Sequence, residues 1–270
     1  GGLSTGLAYS GGNAAQAVAE LSAFKPAQLE LQLYTKQAIG DGTQSNNPWL
    51  MELPDPISRL SWDNYLTISP KDAEALKLEN SLNARMQLDG DLVNVTVNGV
   101  TLKDVPVFIQ PGQAEGSLGL ALGYGKKDSG KVADTGINAY PLFDGYNTVL
   151  TNVKIEKTGE DYEFAGMQLQ NTLMGRYEIA KEVSLEDFIN KPVDEWNKPL
   201  AMHTIGGELP IGKIDLWDAY DDTDGPHFNL SVDLNSCTGC GACVVACQAE
   251  NNVAVVGKDE IRMSRDMYWL

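Results

Sequence analysis

Apolar and polar residues alternate along much of the chain, and this pattern predicts a fold built mainly from β-strands. The alternation is clearest over residues 29–34, 92–97 and 149–155, with the period of a strand that has one buried face. Asn98-Gly99 favours a tight two-residue turn between paired strands. Residues 105–109 predict a further strand that tolerates an edge position, because it contains Pro106.

Helices are predicted to be few and short. Residues 13–24 carry apolar residues at helical spacing. Ser69 followed by Pro70 is typical of a helix start, with Ser as the N-cap and Pro at the first helical position. Ser184 with Asp187 forms a capping box at the start of another short helix. The expected fold class is therefore mainly β with short helices, most simply arranged as a small barrel.

Residues 116–125 are rich in glycine and have two interpretations. Gly116, Gly119, Gly123 and Gly125 would let the backbone approach a bound phosphate or pterin. The spacing matches neither a P-loop nor the dinucleotide-binding glycine pattern. Composition alone favours an ordinary barrel loop.

The charge balance limits the classes of partner. The 270 residues include 37 Asp and Glu against 20 Lys and Arg, a formal net charge of −17. Such a surface excludes nucleic acid as a partner and favours either a basic electron-transfer protein or simple solubility. No window of about 20 apolar residues occurs, so the sequence predicts no membrane span.

The strongest chemical signal is a cluster of cysteines. The four cysteines of the chain follow C-x2-C-x2-C-x3-C spacing, at Cys237, Cys240, Cys243 and Cys247. This is the spacing by which ferredoxin-type segments hold a [4Fe–4S] cluster, with three thiolates on one glycine-containing loop. We therefore predict all four as metal ligands and cofactor-binding residues. No catalytic acid, base or nucleophile constellation is evident.

Such a run of cysteines has three other possible uses. Zinc sites usually use separated pairs of cysteines rather than a single run, although a zinc-stabilised interaction module stays open. Disulfides are disfavoured because C-x2-C loops are too short for unstrained bridges. Attachment of c-type haem requires a histidine after the second cysteine, whereas Gly241 follows Cys240 and Val244 follows Cys243.

The fourth cysteine implies a second cluster. In two-cluster ferredoxins the fourth cysteine of such a run ligates the other cluster. We expect the remaining ligands, and hence more [4Fe–4S] or [3Fe–4S] clusters, to lie beyond Leu270. Residues 267–270 are predicted to be a strand. His203 and His227 are isolated and read as ordinary polar or packed residues, and residues 221–224 as a solvated acidic loop.

Two parts of the chain resemble members of one superfamily. Asn47-Pro48-Trp49-Leu50, Trp62-Asp63-Asn64-Tyr65, residues 107–113, Leu122-Gly123-Tyr124-Gly125 and residues 136–142 resemble the C-terminal pterin-dinucleotide-binding barrel of molybdopterin oxidoreductases. Residues 232–270 resemble the start of their iron–sulfur subunit. The fusion, barrel first, is similar to the B subunits of alternative complex III. Gln248 stands where many ferredoxin motifs have Pro, which we expect to affect loop shape rather than ligation.

The resemblance implies a domain order and a function. It implies a lead-in segment at 1–46, a molybdopterin-dinucleotide-binding-type barrel at 47–189, a linker at 190–225 and the start of a ferredoxin-like iron–sulfur domain at 226–270. It implies an electron-transfer component that relays electrons from a quinol-oxidising membrane subunit towards c-type cytochromes, without its own substrate site or molybdopterin. The periplasmic side of the bacterial inner membrane is the implied location. The alternative is a molybdopterin-dependent oxidoreductase with a fused iron–sulfur domain.

Overall fold

Strands outnumber helices in the computed structural model, which describes residues 12–23, 27–145, 148–169, 172–176, 179, 181–217, 220–221 and 223–265. The elements follow in the order α1 (Ala14–Ala23), β1 (Glu30–Thr35), α2 (Pro48–Glu52), β2 (Leu60–Ser61), β3 (Leu66–Ile68), α3 (Pro70–Leu76), β4 (Asn80–Leu82), β5 (Leu88–Val97), β6 (Val100–Ile109), β7 (Ser117–Leu122), β8 (Val149–Leu150), β9 (Val153–Glu163), β10 (Ala165–Gly166), α4 (Leu185–Asn190), α5 (Val193–Trp196), β11 (Ala201–Thr204), β12 (Gly207–Pro210), α6 (Ala242–Glu250) and α7 (Lys258–Ile261). Short 3-10 helices occupy Tyr140–Leu142 and Ile211–Lys213. Two units are formed, one from described residues of 1–168 and 239–270 and one from those of 169–238.

A mixed eight-stranded sheet is the framework of the first unit. Its strands follow the order β4-β5-β6-β3-β7-β1-β8, and β9 pairs with β5. The pairs β1 with β7 and β3 with β6 are parallel, and the other neighbours are antiparallel. Strands β2 and β10 form a separate two-stranded sheet. The prediction of a mainly β fold with short helices is confirmed.

The predicted hairpin is present, but the strand after it is longer than expected. Val97 pairs with Val100, and Asn98 and Gly99 both have positive φ, as a tight hairpin turn requires. Residues 105–109 form a strand as predicted, but they are the second half of β6, between β5 and β3, rather than a separate strand. Pairing with β3 starts at Val107, so Pro106, which has no N–H, lies outside that ladder.

The loop predicted for residues 116–125 is also wrong. Ser117–Leu122 is strand β7, between β3 and β1, and five of its six residues are buried. Because both faces are covered, the strand has no apolar and polar alternation from which it could be recognised. Gly119 permits close packing, since a Cβ there would lie 2.6 Å from Thr67 Oγ1.

The main apolar core joins the faces of the sheet to α3 and the Tyr140–Leu142 turn. Its fully buried members include Leu31, Leu33, Leu66, Ile68, Val93, Val95, Val105, Val107, Leu118 and Leu120. These residues come from five strands, some of them distant in sequence. The core therefore forms only when the whole sheet assembles.

Helix starts agree with the capping signals. The hydroxyls of Ser69 and Ser184 each accept a hydrogen bond from the backbone N–H three residues later, at 3.1 Å. Helix α1 covers most of residues 13–24, where a helix was predicted. Helix α2 was not predicted; at its start, Asn47 Oδ1 accepts hydrogen bonds from the N–H groups of Trp49 and Leu50. Asn47 followed by Pro48 was the available signal.

The second unit contains small, exposed elements. Helix α5 and the β11–β12 hairpin occur within residues 190–225, the stretch expected to be a linker. No side chain that the structure describes within residues 169–238 is buried. His203, on β11, and His227 are both exposed. Residues 1–11, Asp222 and the strand expected at 267–270 lie outside the described residues.

Candidate metal centre

The cysteine motif spans a loop and the first turns of a helix. Cys237 and Cys240 precede α6, whereas Cys243 and Cys247 lie on it. Helix α6 begins at Ala242, before the third cysteine. Cys243 and Cys247 are four residues apart, so their thiols share one helix face. None of the four cysteines forms a disulfide, and the first three are exposed.

Two glycines shape the loop. Gly239 and Gly241 have φ of 69° and 67°, the left-handed region that glycine adopts without a steric penalty. Gly241 is the N-cap of α6, which places Cys243 in the first turn of the helix.

The four cysteines fit an iron–sulfur cluster by their chemistry. They supply soft sulfur donors at ligand spacing, none is held in a disulfide, and glycines free the loop between them. Cys237 belongs to the second unit, and Cys240, Cys243 and Cys247 belong to the first. Over the described ranges, no three Cys, His, Asp or Glu side chains are gathered into a group that could hold a metal ion.

The loop packs against the segment that follows α2. A Cβ at Gly241 would lie 3.1 Å from Leu53 Cδ1, and one at Gly239 would lie 3.6 Å from Pro56 Cβ. Val244 of α6 is buried in a second apolar cluster with Met51, Leu53, Trp62 and Tyr124 among its members. The first turns of α6 are thus packed against the rest of the first unit, an arrangement that the sequence did not reveal.

A buried carboxylate fixes the chain after α6. Glu52 is 4% exposed and accepts hydrogen bonds from the backbone N–H of Gly257, at 2.7 Å, and of Val256, at 3.1 Å. It also accepts one from Trp62 Nε1, at 3.2 Å. Trp49 Nε1 donates to the Val253 carbonyl at 3.0 Å. Glu52, flanked by Met51 and Leu53, gave no signal beyond a charge among apolar residues.

Two cations hold α7 and the turn that follows it. Lys258 Nζ lies 2.7 Å from Asp63 Oδ2 and donates to the Tyr162 hydroxyl at 2.8 Å. Arg262 donates to the carbonyl oxygen of Phe164 at 2.7 Å and pairs with Asp89 at 2.8 Å. Because these partners lie on the β framework, residues 239–265 are integrated into the first unit rather than attached to it loosely.

Lys36 is a charged residue that is almost fully buried. It is 5% exposed, and its Nζ donates to the Asp63 carbonyl at 2.9 Å and lies 3.8 Å from the centre of the Tyr65 ring. Burial lowers the pKa of Lys36 to about 8, although Asp55 and Asp63 act in the opposite direction. Burial also raises the pKa of Tyr124 well above its usual value. Lys36 and Cys240 line the same cleft, which has a volume of only about 10 Å³.

A larger cavity lies away from the cysteines. It has a volume of about 640 Å³ and is lined by residues 43–44, 46–49 and 252–255. None of the predicted ligands contributes to it. Among the described residues, no helix combines the length and apolar character needed to cross a bilayer.

Comparison with known proteins agrees with the cysteine motif. Residues 230–250 match the model of the 4Fe-4S binding domain. A stretch of 27 residues is 67% identical to the menaquinone reductase iron–sulfur cluster-binding subunit of Nitratidesulfovibrio vulgaris (strain Hildenborough). The match covers 10% of this chain and 11% of that subunit. Together these matches support a [4Fe–4S]-binding, electron-transfer segment around Cys237–Cys247.

Proposed function

We propose that this chain is an electron-transfer iron–sulfur subunit of a membrane-associated, quinol-oxidising respiratory complex. The observation that carries the proposal is the C-x2-C-x2-C-x3-C run within a stretch that matches the 4Fe-4S binding domain. The partly similar protein is named as a menaquinone reductase subunit, which supports a partner that exchanges electrons with a quinone.

The proposed ligands follow the ferredoxin pattern. Cys237, Cys240 and Cys243 hold one cluster, and Cys247 serves a second cluster whose other thiolates come from outside these 270 residues. A bound cluster supplies reversible one-electron transfer. Gly239 and Gly241 give the loop that carries Cys237 and Cys240 the backbone freedom to wrap round a cluster.

The finer assignment rests on the resemblance to the B subunits of alternative complex III. On this proposal electrons pass towards c-type cytochromes on the periplasmic side of the bacterial inner membrane. The mixed sheet is then a molybdopterin-dinucleotide-binding-type barrel that serves as a scaffold without a pterin. The net charge of −17 supports a basic electron acceptor.

Elemental analysis of the anaerobically purified full chain tests the proposal. We expect several irons per chain and no molybdenum, with iron lost in Cys240→Ala and retained in Ser236→Ala, a nearby change that removes no thiol. Molybdenum near one per chain would favour the molybdopterin-dependent oxidoreductase instead. Zinc without iron would favour a zinc-stabilised interaction module.

A further inference from the structure

We propose that the buried ammonium of Lys36 raises the reduction potential of the cluster held by Cys237, Cys240 and Cys243. The inference rests on the proposed function, because it requires a cluster at this motif. It assigns Lys36, which lies outside the cysteine motif, to electrostatic tuning of the centre.

The ammonium group of Lys36 is buried beside a cleft that the cysteine loop also lines. Lys36 lies directly after β1, and its side chain is enclosed by the rings of Tyr65 and Tyr124, whose centres are 3.8 and 5.5 Å from Nζ. Lys36 shares a cleft with Gly239 and Cys240 that has room for about one water molecule. Lys36 and the cysteine loop therefore border the same small cleft.

The carboxylates near Lys36 are engaged with other partners. Asp55 and Asp63 are the candidate counter-ions. The Asp63 carboxylate is occupied by Lys258, at 2.7 Å, and by the Tyr162 hydroxyl, also at 2.7 Å. Lys36 instead contacts the Asp63 backbone carbonyl. Asp55 is engaged in its own turn, where its Oδ1 accepts from the N–H groups of Ile57 and Ser58. The positive charge of Lys36 is thus left without a direct ion pair among the described contacts.

A positive charge beside a cluster changes the reduction potential of that cluster. Burial lowers the pKa of Lys36 only to about 8, so the ammonium form prevails at neutral pH. A cluster gains one negative charge on reduction, and a nearby cation stabilises the reduced form more than the oxidised form. Screening is reduced at the Lys36 end of the interaction, because that side chain is only 5% exposed, whereas Cys240 is exposed. Removal of the cation is expected to lower the midpoint potential.

The test is a redox titration followed by EPR, on the full chain purified anaerobically at pH 6.5. We compare Lys36→Met and Lys36→Gln, which are both neutral, with Lys71→Met. The glutamine can still donate to the Asp63 carbonyl. The control removes the same charge from a side chain that is 72% exposed. We expect one cluster midpoint to fall in both Lys36 variants and none to move in the control.

The outcomes separate this inference from the proposed function. A wild-type chain without iron would refute the proposed function itself. Iron-loaded Lys36 variants with unchanged midpoints would overturn the tuning role and leave the proposed function intact. Loss of iron in both Lys36 variants, with normal loading of Lys71→Met, would also overturn it, since Lys36 would then act on the fold.

Discussion

Removal of the Glu52 carboxylate should open the segment that follows α6. In Glu52→Ala the backbone N–H groups of Val256 and Gly257 and the Nε1 of Trp62 lose the acceptor they share. A hydrogen bond to a charged group is worth about 1.5 kcal/mol, so three bonds give about 4.5 kcal/mol. Relief of the cost of burying a carboxylate offsets part of this, which leaves about 3 kcal/mol.

The assay is hydrogen–deuterium exchange of peptides that cover residues 253–262, read by mass spectrometry. A loss of about 3 kcal/mol corresponds to an increase of about two orders of magnitude in the opening equilibrium, and so in the exchange rate of the affected amides. Glu52→Gln keeps one acceptor oxygen and should give an intermediate increase. Glu74→Ala is the control, because Glu74 is exposed on α3.

An unchanged exchange rate in Glu52→Ala would refute this reasoning. It would mean that Lys258 and Arg262, with their partners on the β framework, hold residues 253–262 without help from Glu52. Faster exchange across the whole first unit would also contradict it, since the predicted effect is local.

Three further predictions concern stability. Gly90→Ala should destabilise the sheet by several kcal/mol, because an added Cβ would lie 2.4 Å from Asn80 Nδ2 and 2.7 Å from the carbonyl oxygen of Val107. The control is Gly206→Ala, whose added Cβ would have no atom nearer than 3.9 Å, and which should leave the melting temperature almost unchanged. Leu120→Ala should cost about 3 kcal/mol in urea denaturation, since Leu120 is 0% exposed, whereas Leu82→Ala, at 52% exposed, should cost well under 1 kcal/mol. Burial lowers the pKa of Lys36 to about 8 from 10.5. The unfolded chain therefore binds more protons between these values, and unfolding free energy should rise from pH 8 towards pH 10 in wild type relative to Lys36→Met. A constant difference between the two proteins would contradict the shift.

Local signals in the sequence predicted elements that local physics controls. The Asn98-Gly99 turn, the Ser69 and Ser184 caps and strand β1 each depend on a few neighbouring residues, and each is present. The cysteine spacing likewise predicted the chemistry of the metal centre, because four thiols within eleven residues have few other uses.

Strand β7 shows where local reasoning failed. Its glycines suggested a loop, yet it lies between β3 and β1 with most of its residues buried on both faces. A strand of this kind has no periodic pattern, since its neighbours rather than its own sequence decide its burial. The same limit explains why the sequence does not show that residues 105–109 continue the strand that begins at Val100.

The sequence by itself determined the acidic charge and the mainly β character, and it predicted the thiol ligands. Only the tertiary structure decided what surrounds the cysteine loop. Lys36 and Glu52 are about 200 residues away from that loop and α7 in sequence, and β-sheet assembly brings them to it. A charged residue shows in a sequence, but whether it is buried and which groups it meets depend on contacts between distant segments, and those contacts set its energetic effect.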